Sequence, residues 1–145
     1  GGQVRAGRVW GLDARDCLRV ADPWPLNPQG ELLLGVKIEN RRALDRTEET
    51  TRVPGLAFCE SGRGDMGLSL GYADPPYPPY PADIQAAYDR VKAAGDAADL
   101  RFLHLCTPEN VTAQIDSGVR LFAPTGDGTE AARIGRAHTG RTMPV

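Results

Sequence analysis

The chain has 145 residues, the size of one ordinary domain. Hydrophobic residues make up 41% and charged residues 25%, both near globular averages, and this excludes wholesale disorder. The formal net charge is -2, from 17 Lys+Arg and 19 Asp+Glu. This balance argues against a basic nucleic-acid-binding protein and against a polybasic membrane-surface protein.

The apolar runs and the cysteines indicate the cellular compartment of the protein. No stretch approaches the roughly 20 apolar residues that cross a bilayer, and the first residues lack the apolar core of a signal peptide. Cys17, Cys59 and Cys106 stand far apart, without the C-x-x-C spacing of a zinc site or the even number of a disulfide framework. We therefore expect a cytoplasmic protein with reduced thiols and no nucleic-acid or membrane partner.

The first 30 residues are predicted to be an irregular lead-in. Residues 12–19 are expected to form a short helix. The segment 22–30 contains three prolines, which lack an amide donor and fix φ, and it is expected to be an irregular loop. From residue 31 onward, stretches typical of strands alternate with stretches typical of helices.

The pattern predicts four strand–helix units over 31–145. Strands are predicted at 31–39, 56–59, 101–106 and 119–124, and the first is expected to be buried on both faces for most of its length. Helices are predicted at 41–52 with Asn40 as N-cap, along the apolar stripe 84–94, from Thr107 to Gly118, and around 131–137. The stretch 60–81 is expected to be loop. Repeated strand–helix units are typical of a parallel α/β sheet, either doubly wound or a TIM-type (β/α)8 barrel, of which this length supplies half.

Two carboxylates follow neighbouring predicted strands. Glu39 ends the first strand and Asp65 lies just after the second. Ligands of parallel α/β folds bind where the carboxyl ends of the strands meet, and two carboxylates there need a proton or a cation between them. A divalent hard cation such as Mg²⁺ fits that requirement. The alternative, in which Glu39 is a surface charge and Asp65 a turn residue, stays open on spacing alone.

The glycines at 62–67 match G-x-G-x-x-G after a strand. A dinucleotide fingerprint is disfavoured, because the motif is expected to run into loop and no acidic residue ends a strand about 20 positions later. The glycines better suit backbone N–H groups turned toward an anion. The Pro/Tyr run 74–81 is expected to be an active-site or interface loop. His104 is expected to be a hydrogen-bonded core histidine, and His138 a cation favoured by the end of the last helix.

Taken together, about four-fifths of the chain resembles the HpcH/HpaI aldolase/citrate lyase family of metal-dependent class II pyruvate aldolases, which includes enzymes like 2,4-dihydroxyhept-2-ene-1,7-dioate aldolase. The segments that carry the resemblance are 35–40 (GVKIEN), 53–57 (VPGLA), 62–72 (GRGDMGLSLGY) and 118–127 (GVRLFAPTGD), with a weaker match at 24–28 (WPLNP). Arg63 departs from the pattern, since many relatives have proline there.

The resemblance implies a fold and a site. The fold would be α/β, the C-terminal half of a TIM-type (β/α)8 barrel with four βα units, so that 1–145 is a partial domain. Glu39 and Asp65 would bind a divalent metal, Mg²⁺ or Mn²⁺, with Co²⁺ as a further alternative. The backbone N–H groups of Gly64 and Asp65 would hold the carboxylate of a pyruvate-like 2-oxo acid, the aldehyde being the second substrate.

The implied reaction is cleavage or formation of a 2-oxo-4-hydroxy acid through a pyruvate enolate. A related decarboxylase or citramalyl-type lyase, and a catalytically incomplete fragment or assembly partner, stay open as alternatives. No catalytic base is identified, because the family's histidine and arginine belong to the half of the barrel that precedes these units. We therefore expect a complementary N-terminal half-barrel or a homo-oligomer as partner, and weak activity of this chain by itself.

Overall fold

The computed structural model describes residues 2–141. The helices are α1 (Gly2–Trp10), α2 (Ala14–Val20), α3 (Arg41–Asp45), α4 (Thr47–Thr51), α5 (Arg63–Leu70), α6 (Ala82–Ala97), α7 (Val111–Asp116) and α8 (Gly128–Thr139). The strands are β1 (Pro23–Trp24), β2 (Leu32–Leu33), β3 (Gly35–Ile38), β4 (Phe58–Ser61), β5 (Arg101–Cys106) and β6 (Leu121–Pro124). No helix of the described residues is long and apolar enough to span a membrane.

The main sheet has four parallel strands in the order β3-β4-β5-β6. The strands therefore pair strictly in sequence, and no crossover places β5 beside β3. This is the order that a barrel half requires, and a doubly wound sheet with a crossover does not fit it. The predicted α/β class with parallel βα units is confirmed.

Helices cover one face of this sheet. The rings of Phe102 and His104, two residues apart in β5, both lie against Tyr88 of α6, at centroid distances of 5.3 and 5.4 Å. Side chains alternate along a strand, so Leu103 and Leu105 lie on the opposite face. Leu105 is 51% exposed. The sheet thus has a helix-covered face and an open face that carries apolar side chains.

The core has two clusters. The larger one joins β3, β4 and β5 to α5 and α6 and contains Cys59, and the smaller one consists of the buried residues Cys106, Val111 and Ala131. All three cysteines are free and buried. The apolar stripe predicted for the long helix is confirmed, and its buried members are Ile84, Ala87, Val91 and Ala94.

The lead-in and the first predicted strand differ from expectation. Residues 2–20 form α1 and α2 rather than an irregular segment, although α2 matches the short helix predicted at 12–19. The strand predicted at 31–39 is divided into β2, which pairs with β1 outside the main sheet, and β3. Leu32, Leu33 and Leu34 are 37%, 54% and 50% exposed, so the prediction that they are buried on both faces is wrong. They lie outside the four-stranded sheet, and no second layer formed by residues 2–141 covers them.

Of two predicted helix N-caps, one is confirmed and the other is wrong. Asn40 caps α3 as predicted, because its Oδ1 accepts the Ala43 N–H at 2.8 Å, but the helix predicted at 41–52 is interrupted at Arg46. Thr107 does not cap α7, which begins at Val111. Instead the Thr107 N–H donates to Asn110 Oδ1 at 2.9 Å.

The largest correction concerns 60–81, predicted to be loop. It contains α5, so the glycine motif does open a helix after β4, and that part of the argument against a dinucleotide site is wrong. The other part holds, since β5 ends in Cys106 rather than in an acidic residue. The helix forms because Met66 is fully buried and Gly67 leaves room for the Pro76 ring packed on it.

Candidate functional site

The ends of β3 and β4 are joined next to Glu39. The Gly62 N–H donates to the Ile38 carbonyl at 3.0 Å, which holds the residue after β4 against the last residue of β3. A Cβ at Gly62 would lie 2.7 Å from both Cβ and Oε2 of Glu39. Glycine at position 62 therefore leaves the space that the Glu39 side chain occupies, and this places the first predicted ligand at the carboxyl edge of the sheet.

Lys37 supplies a positive charge at this edge. Its Nζ lies 3.0 Å from Glu39 Oε2. The pKa of Lys37 is raised, first by the bond to Glu39, and further by the charges of Glu39, Glu60 and Asp65. Lys37 is directly opposite Glu60 in the register of β3 and β4. The charges of three carboxylates, those of Glu39 and Asp65 among them, therefore contribute to the raised pKa of Lys37.

The first turn of α5 presents backbone donors. Its first intrahelical hydrogen bond is donated by Met66 N–H to Gly62 O at 2.9 Å, so the N–H groups of Gly64 and Asp65 precede it and have no partner within the helix. Gly62, the N-cap, provides no side-chain cap. The Asp65 carboxylate lies in this first turn and is exposed. Such a turn binds anions, because its N–H groups and the helix dipole both favour negative charge.

The donor atoms fit a hard divalent cation. Glu39 Oε2 is shielded from solvent and, the ion pair with Lys37 aside, accepts no hydrogen bond within residues 2–141. The Ser61 hydroxyl, at the end of β4, is also buried and without a hydrogen-bond partner in that part of the chain, but Ser61 pairs in register with Ile38 and so belongs to the helix-covered face. Oxygen donors of this kind suit Mg²⁺ or Mn²⁺ rather than a thiolate- or imidazole-bound metal. Groups of three or more His, Cys, Asp or Glu converging on one point are absent from the described residues, so water and substrate would complete the coordination.

Arg63, the first residue of α5, is held between aromatic rings. Its guanidinium carbon lies 4.1 Å from the Tyr80 ring centroid and 4.6 Å from that of Tyr88. Its Nη2 lies 2.9 Å from His104 Nε2. A guanidinium only donates, so Nε2 accepts and the proton of the neutral imidazole is on Nδ1. Burial first, and then the Arg63 charge, lower the pKa of His104 to about 4. The prediction of a hydrogen-bonded core histidine is confirmed.

The remaining predicted features lie around this site or away from it. The run 74–81 covers α5, with Pro75 Cβ 3.6 Å from the Cβ position of Gly64, while Tyr77 in the same run is 78% exposed. His138 lies in the last turn of α8, where its Nε2 is 2.7 Å from Oδ1 of Asp116 in α7. Neither histidine is placed to act as a base beside Glu39.

Sequence reasoning missed Lys37 and the partners of Arg63. Lys37 had a local signal, since it is two residues before Glu39 on the same strand and must share its face. The Arg63–His104 contact had none, because it joins residues 41 positions apart. Ser69, in the motif segment, accepts the Arg41 N–H at 2.9 Å and so ties α5 to the start of α3.

No protein-family model matches the chain, and no curated protein matches it. Its fold does match solved structures. An HpcH/HpaI aldolase/citrate lyase family protein from Burkholderia cenocepacia is 23% identical with a TM-score of 0.57, covering 88% of this chain and 48% of that one. The citrate synthase SbnG is 16% identical with a TM-score of 0.56, covering 83% of this chain and 55% of that one.

A third match is the protein CitE from Mycobacterium tuberculosis, solved in complex with magnesium and acetoacetate. It is 12% identical with a TM-score of 0.60, covering 74% of this chain and 49% of that one. The structural neighbours are members of the HpcH/HpaI aldolase/citrate lyase family, in agreement with the resemblance of the sequence motifs. At these identities the likeness establishes a shared fold, and the chain spans about half the length of the structures it matches.

Proposed function

We propose that this chain is the metal- and oxo-acid-binding half of a divalent-metal-dependent carbon–carbon lyase that cleaves or forms 2-oxo-4-hydroxy acids. One observation carries the proposal. Glu39 follows β3 and has its Oε2 shielded from water, with Lys37 as its partner, and Asp65 lies in the first turn of α5, the helix that follows the adjacent strand β4. Support also comes from the fold shared with proteins of this family, one of which binds magnesium and acetoacetate.

Each residue has a role in this proposal. Glu39 and Asp65 hold the cation, which when bound supplies Lewis acidity beside the keto oxygen of the substrate. The Gly64 and Asp65 N–H groups bind the carboxylate of a pyruvate-like 2-oxo acid and so orient its keto group toward the sheet edge. The positive end of α5 also stabilises the negative charge that develops on the keto oxygen as the carbon–carbon bond breaks.

The proposed partner is the other half of a (β/α)8 barrel. The open face of the sheet carries Leu103 and Leu105, paired in register with Leu121 and Ala123 of β6. β3 and β6 are the edge strands of the sheet. Exposed apolar faces and unpaired edges drive association, so a complementary N-terminal half or a second copy of this chain is expected to cover them. The general base would come from that partner, because the low pKa of His104, about 4, makes it a weak base at neutral pH.

Two alternatives use the same residues. A decarboxylase or citramalyl-type lyase would employ Glu39 and Asp65 in the same way, and a catalytically silent assembly partner would keep the fold without turnover. Neither is favoured by a specific contact of the described chain. The aldolase differs from both in releasing pyruvate from 4-hydroxy-2-oxo acids, which is the reaction that the turnover measurement below follows.

The test has a binding arm and a turnover arm. Calorimetry of the chain with Mn²⁺, and then with pyruvate, should give binding that Asp65→Asn abolishes. Glu60→Gln, which removes a neighbouring carboxylate that is not a proposed ligand, should retain it. Pyruvate release from a panel of 4-hydroxy-2-oxo acids should be slow for the chain alone and rise with a supplied N-terminal half-barrel. Binding that survives Asp65→Asn, or rapid metal-independent cleavage, would contradict the proposal.

A further inference from the structure

The Arg63 side chain joins the start of α5 to three other parts of the chain. Its Nη2 donates to His104 Nε2 in β5 at 2.9 Å. Its guanidinium lies over the ring of Tyr88 in α6 and over that of Tyr80 in the segment that covers α5. The residue next to Gly64 and Asp65 is therefore fixed by contacts that α5 itself does not provide.

These contacts are made by neutral groups. Aromatic ring faces attract a guanidinium through their quadrupole, and His104 accepts as a neutral imidazole. None of the ion pairs in the described part of the chain includes Arg63. A planar guanidinium between two rings and an acceptor is held in one orientation, and a lysine would not reproduce that geometry. The cluster is thus suited to fixing a backbone position.

The cluster lies on the helix-covered side of the sheet. Phe102 and His104 contact Tyr88 there, whereas Lys37 and Glu60 belong to the register positions of the opposite, open face. Arg63 therefore influences the proposed site through the backbone that it anchors, without touching the substrate.

The first turn of α5 needs such an anchor. The helix has eight residues, and two of them, Gly64 and Gly67, are glycines that weaken it. Helices of this length are not stable by themselves, and the N-cap residue provides no side-chain hydrogen bond. The orientation of the Gly64 and Asp65 N–H groups must therefore come from tertiary contacts.

We propose that Arg63 is a positioning residue for the oxo-acid site, holding the Gly64 and Asp65 N–H groups and the Asp65 carboxylate in place through its contacts with His104, Tyr80 and Tyr88. This inference rests on the proposed function.

The test compares Arg63→Met with Arg90→Met. Arg90 is a matched control, because it also joins two helices, through hydrogen bonds of 2.8 and 2.9 Å to Glu48, but lies away from the site. The readouts are hydrogen exchange of the Met66 amide, which closes the first turn, and the Mg²⁺-dependent dissociation constant for pyruvate. We expect Arg63→Met to accelerate the exchange at least tenfold and to weaken pyruvate binding at least fivefold, and Arg90→Met to change neither.

A second pair of variants guards against misfolding of Arg63→Met. His104→Phe removes the acceptor and keeps the ring volume, and it should act like Arg63→Met, whereas His104→Gln keeps an acceptor oxygen and should act like the wild type. If the Met66 exchange rate and the pyruvate affinity are unchanged in both Arg63→Met and His104→Phe, the positioning role of Arg63 is overturned, while the proposed function is unaffected. A wild-type chain that binds neither Mg²⁺ nor pyruvate would overturn the proposed function and, with it, this role.

Discussion

Replacing Lys37 with Met is expected to tighten divalent metal binding. The Lys37 ammonium lies 3.0 Å from Glu39 Oε2, the atom proposed to bind the metal, so a metal must displace it. The raised pKa of Lys37 keeps the ammonium charged through the neutral range, and the competition therefore persists throughout that range. Removing the ammonium frees Glu39 and also removes the repulsion between two cations.

The magnitude follows from the exposure of the pair. The two side chains are 45% and 36% exposed, so solvent screens the interaction and the range for surface ion pairs, about 0.2–1 kcal/mol, applies. Since about 1.4 kcal/mol corresponds to a factor of ten, the dissociation constant for Mn²⁺ should fall by up to about fivefold. Without metal the variant should be slightly less stable, because Glu39, Glu60 and Asp65 then lack their shared counter-charge.

The assay is calorimetric titration of Mn²⁺ into wild type, Lys37→Met and Arg90→Met at low ionic strength, repeated with added NaCl. Arg90→Met removes an ion pair away from the site and should leave the metal affinity unchanged. Added salt should narrow the difference between Lys37→Met and wild type, because exposed charges are screened. An equal or weaker affinity in Lys37→Met would refute the competition and indicate that Lys37 supports the metal-bound form.

Three further outcomes are expected. Asp65→Asn should abolish most of the melting-temperature rise produced by Mg²⁺, which at roughly 100 times the dissociation constant corresponds to about 2.7 kcal/mol; an equal rise in the variant would contradict the ligand assignment. His104 is neutral in the fold with a pKa lowered to about 4 from 6.5, so its stabilising contribution is complete above 6.5 and is lost as the pH falls through 4. Urea denaturation should show that loss in wild type and less of it in His104→Gln, and parallel pH profiles would refute it. Gly67→Ala should lower the free energy of unfolding by about 1–3 kcal/mol, because the added methyl group meets the Pro76 ring; an unchanged urea midpoint would mean that segment 74–81 is not packed on α5.

How much of the fold the sequence predicts depends on how local the signal is. The apolar stripe of α6 extends over most of its 16 residues, so one face had to be buried and the helix was predictable. In α5 the two glycines and the prolines that follow are typical of loop, and the helix exists because Met66 is buried and Pro76 packs over Gly67. Contacts distant in sequence decide that element.

The same distinction between local and long-range signals applies to the candidate site. Glu39 and Asp65 could be chosen as candidates because they follow adjacent strands, which is a matter of chain order, and their role as metal ligands stays a prediction. The orientation of Arg63 was not, because it depends on rings and an imidazole contributed by other units. The burial expected for Leu32–Leu34 failed for a related reason, since a pattern of apolar residues does not say whether the layer that would cover them belongs to the same chain.

Each of the three buried thiols reports on the local opening of a separate part of the chain. Cys17 lies in α2, Cys59 in the larger core cluster and Cys106 in the smaller one. A buried thiol meets an alkylating reagent only when its surroundings open, and burial raises the pKa of Cys59 to about 11, which further suppresses its reactive thiolate. The order in which the three cysteines are alkylated therefore records the order in which their surroundings open. The smaller cluster has three buried residues, so the end of the chain from β6 to α8 is expected to expose Cys106 while Cys59 is still protected.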